Sequence, residues 1–224
     1  MGIIWLSHVL DQTTPLYGGS RDIILQSKQS LRDGDNCNTT SIMFSSHSGT
    51  HVDTPYHFFT RGKTVSDFPS ETWVFTSPKC IDISVKPGQL LTIGDLSNAV
   101  SPDARLDILL LRTGFESNRE DQIYWKEGPG LSSKLARYLR TLHPSLRAIG
   151  IDFISISSFQ HREEGRTAHR EFLENEILLF EDMALGQLDK TQELYQIIAL
   201  PLRFANADGA PCTILGWEKD NEKI

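Results

Sequence analysis

The sequence predicts an α/β fold: one domain over residues 1–224, with a substantial mixed or antiparallel sheet. Three observations point there. A chain of 224 residues can bury one full core, and α/β and barrel-like folds often reach this length. Two short, almost wholly apolar runs, residues 106–111 and 148–156, have the character of interior strands. Helical and strand-like segments are intermingled rather than strictly alternating, which argues against an all-parallel sheet.

Along the chain, residues 3–9 read as a first strand and residues 13–19 as a loop, because Pro15, Gly18 and Gly19 punctuate it. Residues 23–29 are a strand candidate, and residues 33–38 form a polar turn. Residues 39–53 are expected as one extended strand, with Ile42 and Phe44 opposite in parity to His47, His51 and Asp53. Residues 80–85 follow Pro78 and alternate in part, until Pro87 and Gly88 break the pattern. Residues 92–98 predict a short helix. Residues 132–142 predict an amphipathic one, since Leu135, Leu139 and Leu142 recur at helical spacing. Residues 167–175 predict another, with Thr167 as its cap and His169 in its first turn. Residues 177–180 form a short strand ending at Glu181. Residues 195–201 and 212–216 are closing strands on either side of Asp208 and Gly209.

Composition narrows the function. The net charge of −7 comes without any Lys/Arg run, so a nucleic-acid partner is not expected. The first ten residues lack a basic region and a long apolar core, and no 18-residue apolar run exists. Neither a signal peptide nor a membrane span is therefore expected. Leu6 stands where myristoylation would need Ser or Thr. Cys37, Cys80 and Cys212 are odd in number and far apart, which favours reduced thiols and a cytoplasmic setting. The sequence has no GxSxG, HExxH, GxGxxG or GxxxxGK[ST] motif.

Chemistry concentrates in residues 47–59, which hold three of the seven histidines and an aspartate. On an extended strand His47, His51 and Asp53 would share a face. Two imidazoles and a carboxylate there form part of a metal shell. His57 has the same parity but follows Pro55, which tends to end a strand, so it is expected on the loop beyond, free to move protons. His169 and Glu181, twelve residues apart, are candidates for a second contribution.

The stretch from His47 to His57 resembles the HxGTHxDxPxH signature of the cyclase family, which includes bacterial kynurenine formamidase (arylformamidase) and isatin hydrolase. Every defining position is filled: His47, Gly49, Thr50, His51, Asp53, Pro55 and His57. The segment from His169 to Glu181, with Ile177, is similar to the family's second metal-binding segment. Weaker echoes run through residues 109–114, 150–152, 200–202 and 208–211.

The resemblance implies a swivelling β/β/α architecture and a metal-dependent amidohydrolase. Metal-activated water would attack an aryl formamide or cyclic amide carbonyl, as in the kynurenine branch of tryptophan catabolism. The implied metal ligands are His47, His51, Asp53, His169 and Glu181, and the implied acid/base residue is His57. Five ligands leave two outcomes open: two zinc ions about 3.5–4 Å apart, or one ion of higher coordination such as manganese. Tyr17 lies in a segment resembling the family's N-terminal loop, where kynurenine formamidases commonly carry Trp. With Phe58 and Phe59 it is the expected substrate contact. The implied partners are a small-molecule amide and further copies of the chain, as a homodimer or higher homo-oligomer.

Overall fold

Two sets of strands with opposite habits meet in one sheet. A computed structural model describes residues 2–188 and 193–219. Its strands are β1 (Ile3–Trp5), β2 (Ile24–Gln29), β3 (Thr39–Met43), β4 (His51–Asp53), β5 (Val74–Phe75), β6 (Pro78–Asp82), β7 (Leu90–Leu91), β8 (Ile108–Arg112), β9 (Gly130–Leu131), β10 (Ala148–Ile151), β11 (Leu178–Glu181), β12 (Leu194–Pro201) and β13 (Gly209–Glu218). The helices are α1 (Ile93–Leu96), α2 (Gln122–Lys126), α3 (Lys134–Leu142) and α4 (Arg162–Glu174).

The main sheet runs β5-β12-β13-β4-β11-β10-β8-β6, and β1 adds to β13. The pairs among β6, β8, β10 and β11 are parallel. The pairs on the β12 and β13 side are antiparallel. β12 also contacts β6, so the mixed sheet nearly closes on itself.

The apolar runs explain the parallel half. Ile108, Leu109, Leu110 and Leu111 are all fully buried, as expected for a strand covered on both faces. Parallel neighbours need crossovers, and α3 and α4 lie on the connections from β8 to β10 and from β10 to β11. They pack against each other and bury Leu135, Ala136 and Leu139 of α3 with Ala168, Phe172 and Leu173 of α4. Each fully buried Leu stabilises the fold by about 1.5–3 kcal/mol.

Several expected elements differ in extent: residues 80–85 give β6 over Pro78–Asp82, and residues 212–216 lengthen to β13 over Gly209–Glu218. Residues 39–53 are not one strand: β3 ends at Met43, and β4 begins only at His51. Between them Gly49 takes φ 63°, a left-handed conformation that ends extended pairing. The helix expected over residues 167–175 is α4, and it begins at Arg162, not Thr167, with the exposed His161 at its N-cap. Thr167 is therefore interior, its hydroxyl donating to the Glu163 carbonyl at 3.0 Å. The first strand stops at Trp5, and only an isolated bridge, Ser7 to Met183, continues it. Among the described residues no helix is long and apolar enough to cross a membrane.

Candidate metal centre

The short strand β4 sits at the seam, antiparallel both to β13 and to β11. Its register sets His51 opposite Glu181. Side chains directly opposite on paired strands lie on the same face, and so do residues two apart on one strand. His51, Asp53 and Glu181 therefore converge. His169 reaches the same point from α4, and His47 from the turn before β4. His47 fits there because Gly209 has no side chain: a Cβ would come within 2.7 Å of the His47 ring and of the Val52 carbonyl.

The pattern of hydrogen bonds fixes the chemistry of each ring. His51 Nδ1 donates to the Gly49 carbonyl and His169 Nδ1 donates to the Gly165 carbonyl, each at 2.8 Å. Nε2 is thereby left as the inward-facing atom of both rings. His51 Nε2 lies 3.4 Å from Asp53 Oδ1 and 3.5 Å from Glu181 Oε2. His169 Nε2 lies 3.3 Å from Asp53 Oδ2 and 3.4 Å from Glu181 Oε1. His47 Nδ1 is 2.8 Å from Asp53 Oδ1, and its Nε2 is 2.8 Å from Asp208 Oδ2. Glu181 is oriented in turn, accepting from Ser155 Oγ at 3.0 Å and from the Ile156 N–H at 2.7 Å. Just beyond it Asp182, at φ 51°, is held by Arg119 at 2.7 Å.

Lone pairs of imidazole and carboxylate thus face one another in a buried space; His51, Asp53, His169 and Glu181 are each at most 4 % exposed. Such a cluster requires cations, either protons or a metal. The proton-bound form shows the strength of the field. Burial pulls His47 down, but Asp53 and Asp208 overcome it and push its pKa up to about 10. Burial likewise opposes protonation of His169, and Asp53 with Glu181 push it up to about 10. His51 moves upward for similar reasons. Burial would raise Asp53, yet the surrounding imidazoles hold its carboxyl well below the usual range.

A pH dependence follows for the metal-free chain. Groups with raised folded-state pKa stabilise fully below their ordinary value of 6.5 and lose that contribution as pH climbs toward about 10. The melting temperature of chelator-treated protein should fall across that window. Metal-loaded protein, whose imidazoles would take up no second proton in this range, should stay flat. Calorimetric melts at stepped pH check this, and a rising curve for the metal-free form would contradict the arrangement.

His57 stands beside the cluster. It ends a short 3-10 turn, Pro55–His57, beyond β4. Its ring lies over His47, with centroids 4.1 Å apart, and its Nδ1 is 3.1 Å from Asp208 Oδ2. One carboxylate therefore holds both rings. Ser46 Oγ donates to the other Asp208 oxygen at 2.8 Å. Hydrogen bonds from His47 and His57 keep the Asp208 carboxyl far below its usual range.

Comparison with known proteins gives the family. Residues 4–158 match the family described as Putative cyclase. The chain belongs to the cyclase family. A kynurenine formamidase from Geobacillus thermodenitrificans is 30% identical over 213 residues, 92% of each chain. Isatin hydrolase A from Labrenzia aggregata, solved with benzyl benzoate, superposes with a TM-score of 0.80 at 23% identity, covering 96% of this chain and 93% of that one. A potential metal-dependent hydrolase with cyclase activity gives 0.77 at 20% identity, covering 98% of each.

In this member of the cyclase family a cavity of about 290 Å³ opens onto the cluster. His47, His51, Asp53, His57, His169 and Glu181 all line it, as do Tyr17 and Phe58. Phe58 stacks on His169, centroids 4.9 Å apart. Phe59 does not line it; its ring lies 5.6 Å from the Arg170 guanidinium instead. The Phe58 ring, which does line the cavity, also lies 5.7 Å from that guanidinium. Asp208, Arg162 and Arg166 are the site residues that the sequence reading left out.

Proposed function

We propose that this chain is a metal-dependent arylformamidase of the kynurenine formamidase type, hydrolysing the C–N bond of an aryl formamide. The observation that carries the reading is the convergence of His51 Nε2 and His169 Nε2 on two carboxylates, with both Nδ1 atoms tied to backbone carbonyls. His47, His51, Asp53, His169 and Glu181 would hold the metal. Bound there, a divalent cation supplies Lewis-acid chemistry, lowering the pKa of water from about 15.7 to roughly 7 and polarising the carbonyl.

The chain supplies the rest. Tyr17 and Phe58 flank the cavity with apolar surface suited to an aryl ring. His57 gives a proton to the departing amine nitrogen through Nε2, since Asp208 holds Nδ1. A purely structural metal site would have no need of this His57–Asp208 pair, which favours an enzyme over a binding protein.

Zinc and manganese both suit this mixed nitrogen and oxygen donor set. Two ligand triads, His47-Asp53-His57 and His51-Asp53-Glu181, each lie within 4.8 Å and share Asp53. The first triad counts His57, to which proton transfer is assigned, so two ions would require His57 as a ligand instead, and metal stoichiometry measured on the His57→Ala variant separates the two cases. The exposed apolar residues Ile24, Ile42 and Met43 on the β2–β3 hairpin support a homodimer or higher oligomer, which light scattering would refute by giving a monomer mass. Three free thiols, one of them exposed, support a cytoplasmic setting, testable by cell fractionation.

A second reading keeps the centre and changes the substrate to isatin or a lactone, favoured by the likeness in fold to isatin hydrolase. Metal-loaded protein assayed on N-formylkynurenine, formanilide, isatin and a lactone separates the readings. Formamide turnover that chelator abolishes is expected. Preference for isatin or the lactone would install the second reading, and tight metal binding without any turnover would leave a binding protein.

A further inference from the structure

The residue after Glu181 carries more bonds than a turn needs. Asp182 leaves β11 at φ 51°, a left-handed conformation that few non-glycine residues adopt. It is buried, and its N–H, its carbonyl and both carboxylate oxygens are all engaged. The N–H donates to the Phe153 carbonyl at 3.0 Å, and the carbonyl accepts from the Thr50 hydroxyl. Arg119 Nε and Nη2 donate to the two carboxylate oxygens at 2.9 and 2.7 Å. Tyr124, fully buried, adds its hydroxyl to Oδ1 at 2.5 Å. None of Asp182, Arg119 and Tyr124 lines the cavity.

Two observations connect this arrangement to the centre. First, the end of β11 is paired on one side only: β10 accompanies it as far as Phe180, and Glu181 is paired with His51 alone. Ser155 and Ile156 orient the Glu181 carboxylate, but its backbone needs a further hold. Second, Thr50 lies between Gly49, whose carbonyl accepts from His51 Nδ1, and His51 itself. The Thr50 hydroxyl therefore ties β4, with His51 and Asp53, to the residue that follows Glu181. The backbone conformation of Asp182 sets where its carbonyl points, and so whether that tie can form. Arg119 closes the 3-10 turn Phe115–Asn118, and Tyr124 lies on α2, so the hold comes from outside both strands. A guanidinium that engages both oxygens of a carboxylate fixes its orientation as well as its charge.

We propose that Arg119 and Tyr124 are positioning residues for the metal centre: acting through Asp182, they hold Glu181 at the spacing from His51 that a bound divalent cation requires. The inference rests on the proposed metal centre and concerns its affinity, not its substrate.

Zinc titrated into chelator-treated full-length protein, against a competing chromophoric chelator and well below the melting temperature, reads that affinity without any turnover. Asp182→Ala keeps neither the acceptor oxygens nor the tolerance for a left-handed backbone. It should bind zinc about 10- to 100-fold more weakly, the usual cost of losing a group that orients a metal ligand. Asp182→Asn should bind within about threefold of wild type, because asparagine adopts the same conformation and still offers a side-chain oxygen. Tyr124→Phe removes one hydroxyl and keeps the ring, so it reads the clamp should Asp182→Ala fail to fold. About a fivefold loss is expected there, the worth of one hydrogen bond. A lowered melting temperature with wild-type zinc affinity, in Asp182→Ala or in Tyr124→Phe, overturns the proposal. So does Asp182→Asn as weak as Asp182→Ala, since the loss then follows the charge of Asp182 rather than its conformation. Wild-type protein that binds no zinc refutes the metal centre and the clamp together, which sets that failure apart from failure of the clamp alone.

Discussion

Asp53→Asn should yield a protein that folds less stably and retains no stoichiometric metal. Asp53 is the carboxylate shared by His47, His51 and His169, and it is 1 % exposed. The amide keeps the shape but removes the charge that draws a cation. In the metal-free state the loss is also structural. His47 and His169 take up protons there, and Asp53 is their common counter-charge. Removing one partner of a buried charged group costs about 3–5 kcal/mol. Elemental analysis of dialysed protein and urea unfolding of the chelated form measure the two effects. Metal retained at wild-type stoichiometry by the variant would refute the shared role of Asp53.

His57→Ala should cut kcat on the formamide by about 10²- to 10⁴-fold, the usual contribution of a positioned acid or base, while metal content holds. The alternative has geometric support, since ligating atoms of His47, Asp53 and His57 lie within 4.8 Å of one another. Elemental analysis run beside turnover decides. Metal lost together with His57 would make it a ligand. Asp208→Asn belongs to the same series and should cost less than either. It orients His57 and also His47, so a loss of about 10- to 100-fold is expected, typical of a residue that orients metal ligands.

The clustered histidines and carboxylates were legible as a group because their spacing is short and their chemistry unusual. His47, His51 and Asp53 could be grouped from parity alone, although the reason was only partly right: the turn around Gly49, not a continuous strand, brings His47 in. The buried runs of β8 and β10 announced the parallel half through composition. The register that sets Glu181 against His51 was not legible, because pairing between residues so distant in sequence leaves no local trace.

Asp208 was seen as a turn residue. Its role appears only when β13 returns beside β4 and carries it to His47 and His57. Arg162 and Arg166 were missed for a different reason. Starting α4 at Thr167 left both arginines outside the helix, and their spacing to His169 then had no meaning. The signal was present in the i, i+4, i+7 pattern. Acidic Glu163 and Glu164 at the true first turn, which favour a helix N-terminus, mark where the helix begins.

Setting three-residue β4 between strands of opposite polarity has a biosynthetic corollary. The centre draws on residues 47–57, on 169–181 and on Asp208, near the end of the described chain. A ribosome-bound chain halted before Glu181 would own four of the five candidate ligands and most of the cavity lining, but not Glu181, Asp208 or β13. Assembly of the candidate centre is thereby deferred until Glu181, Asp208 and β13 have all been made and paired beside β4.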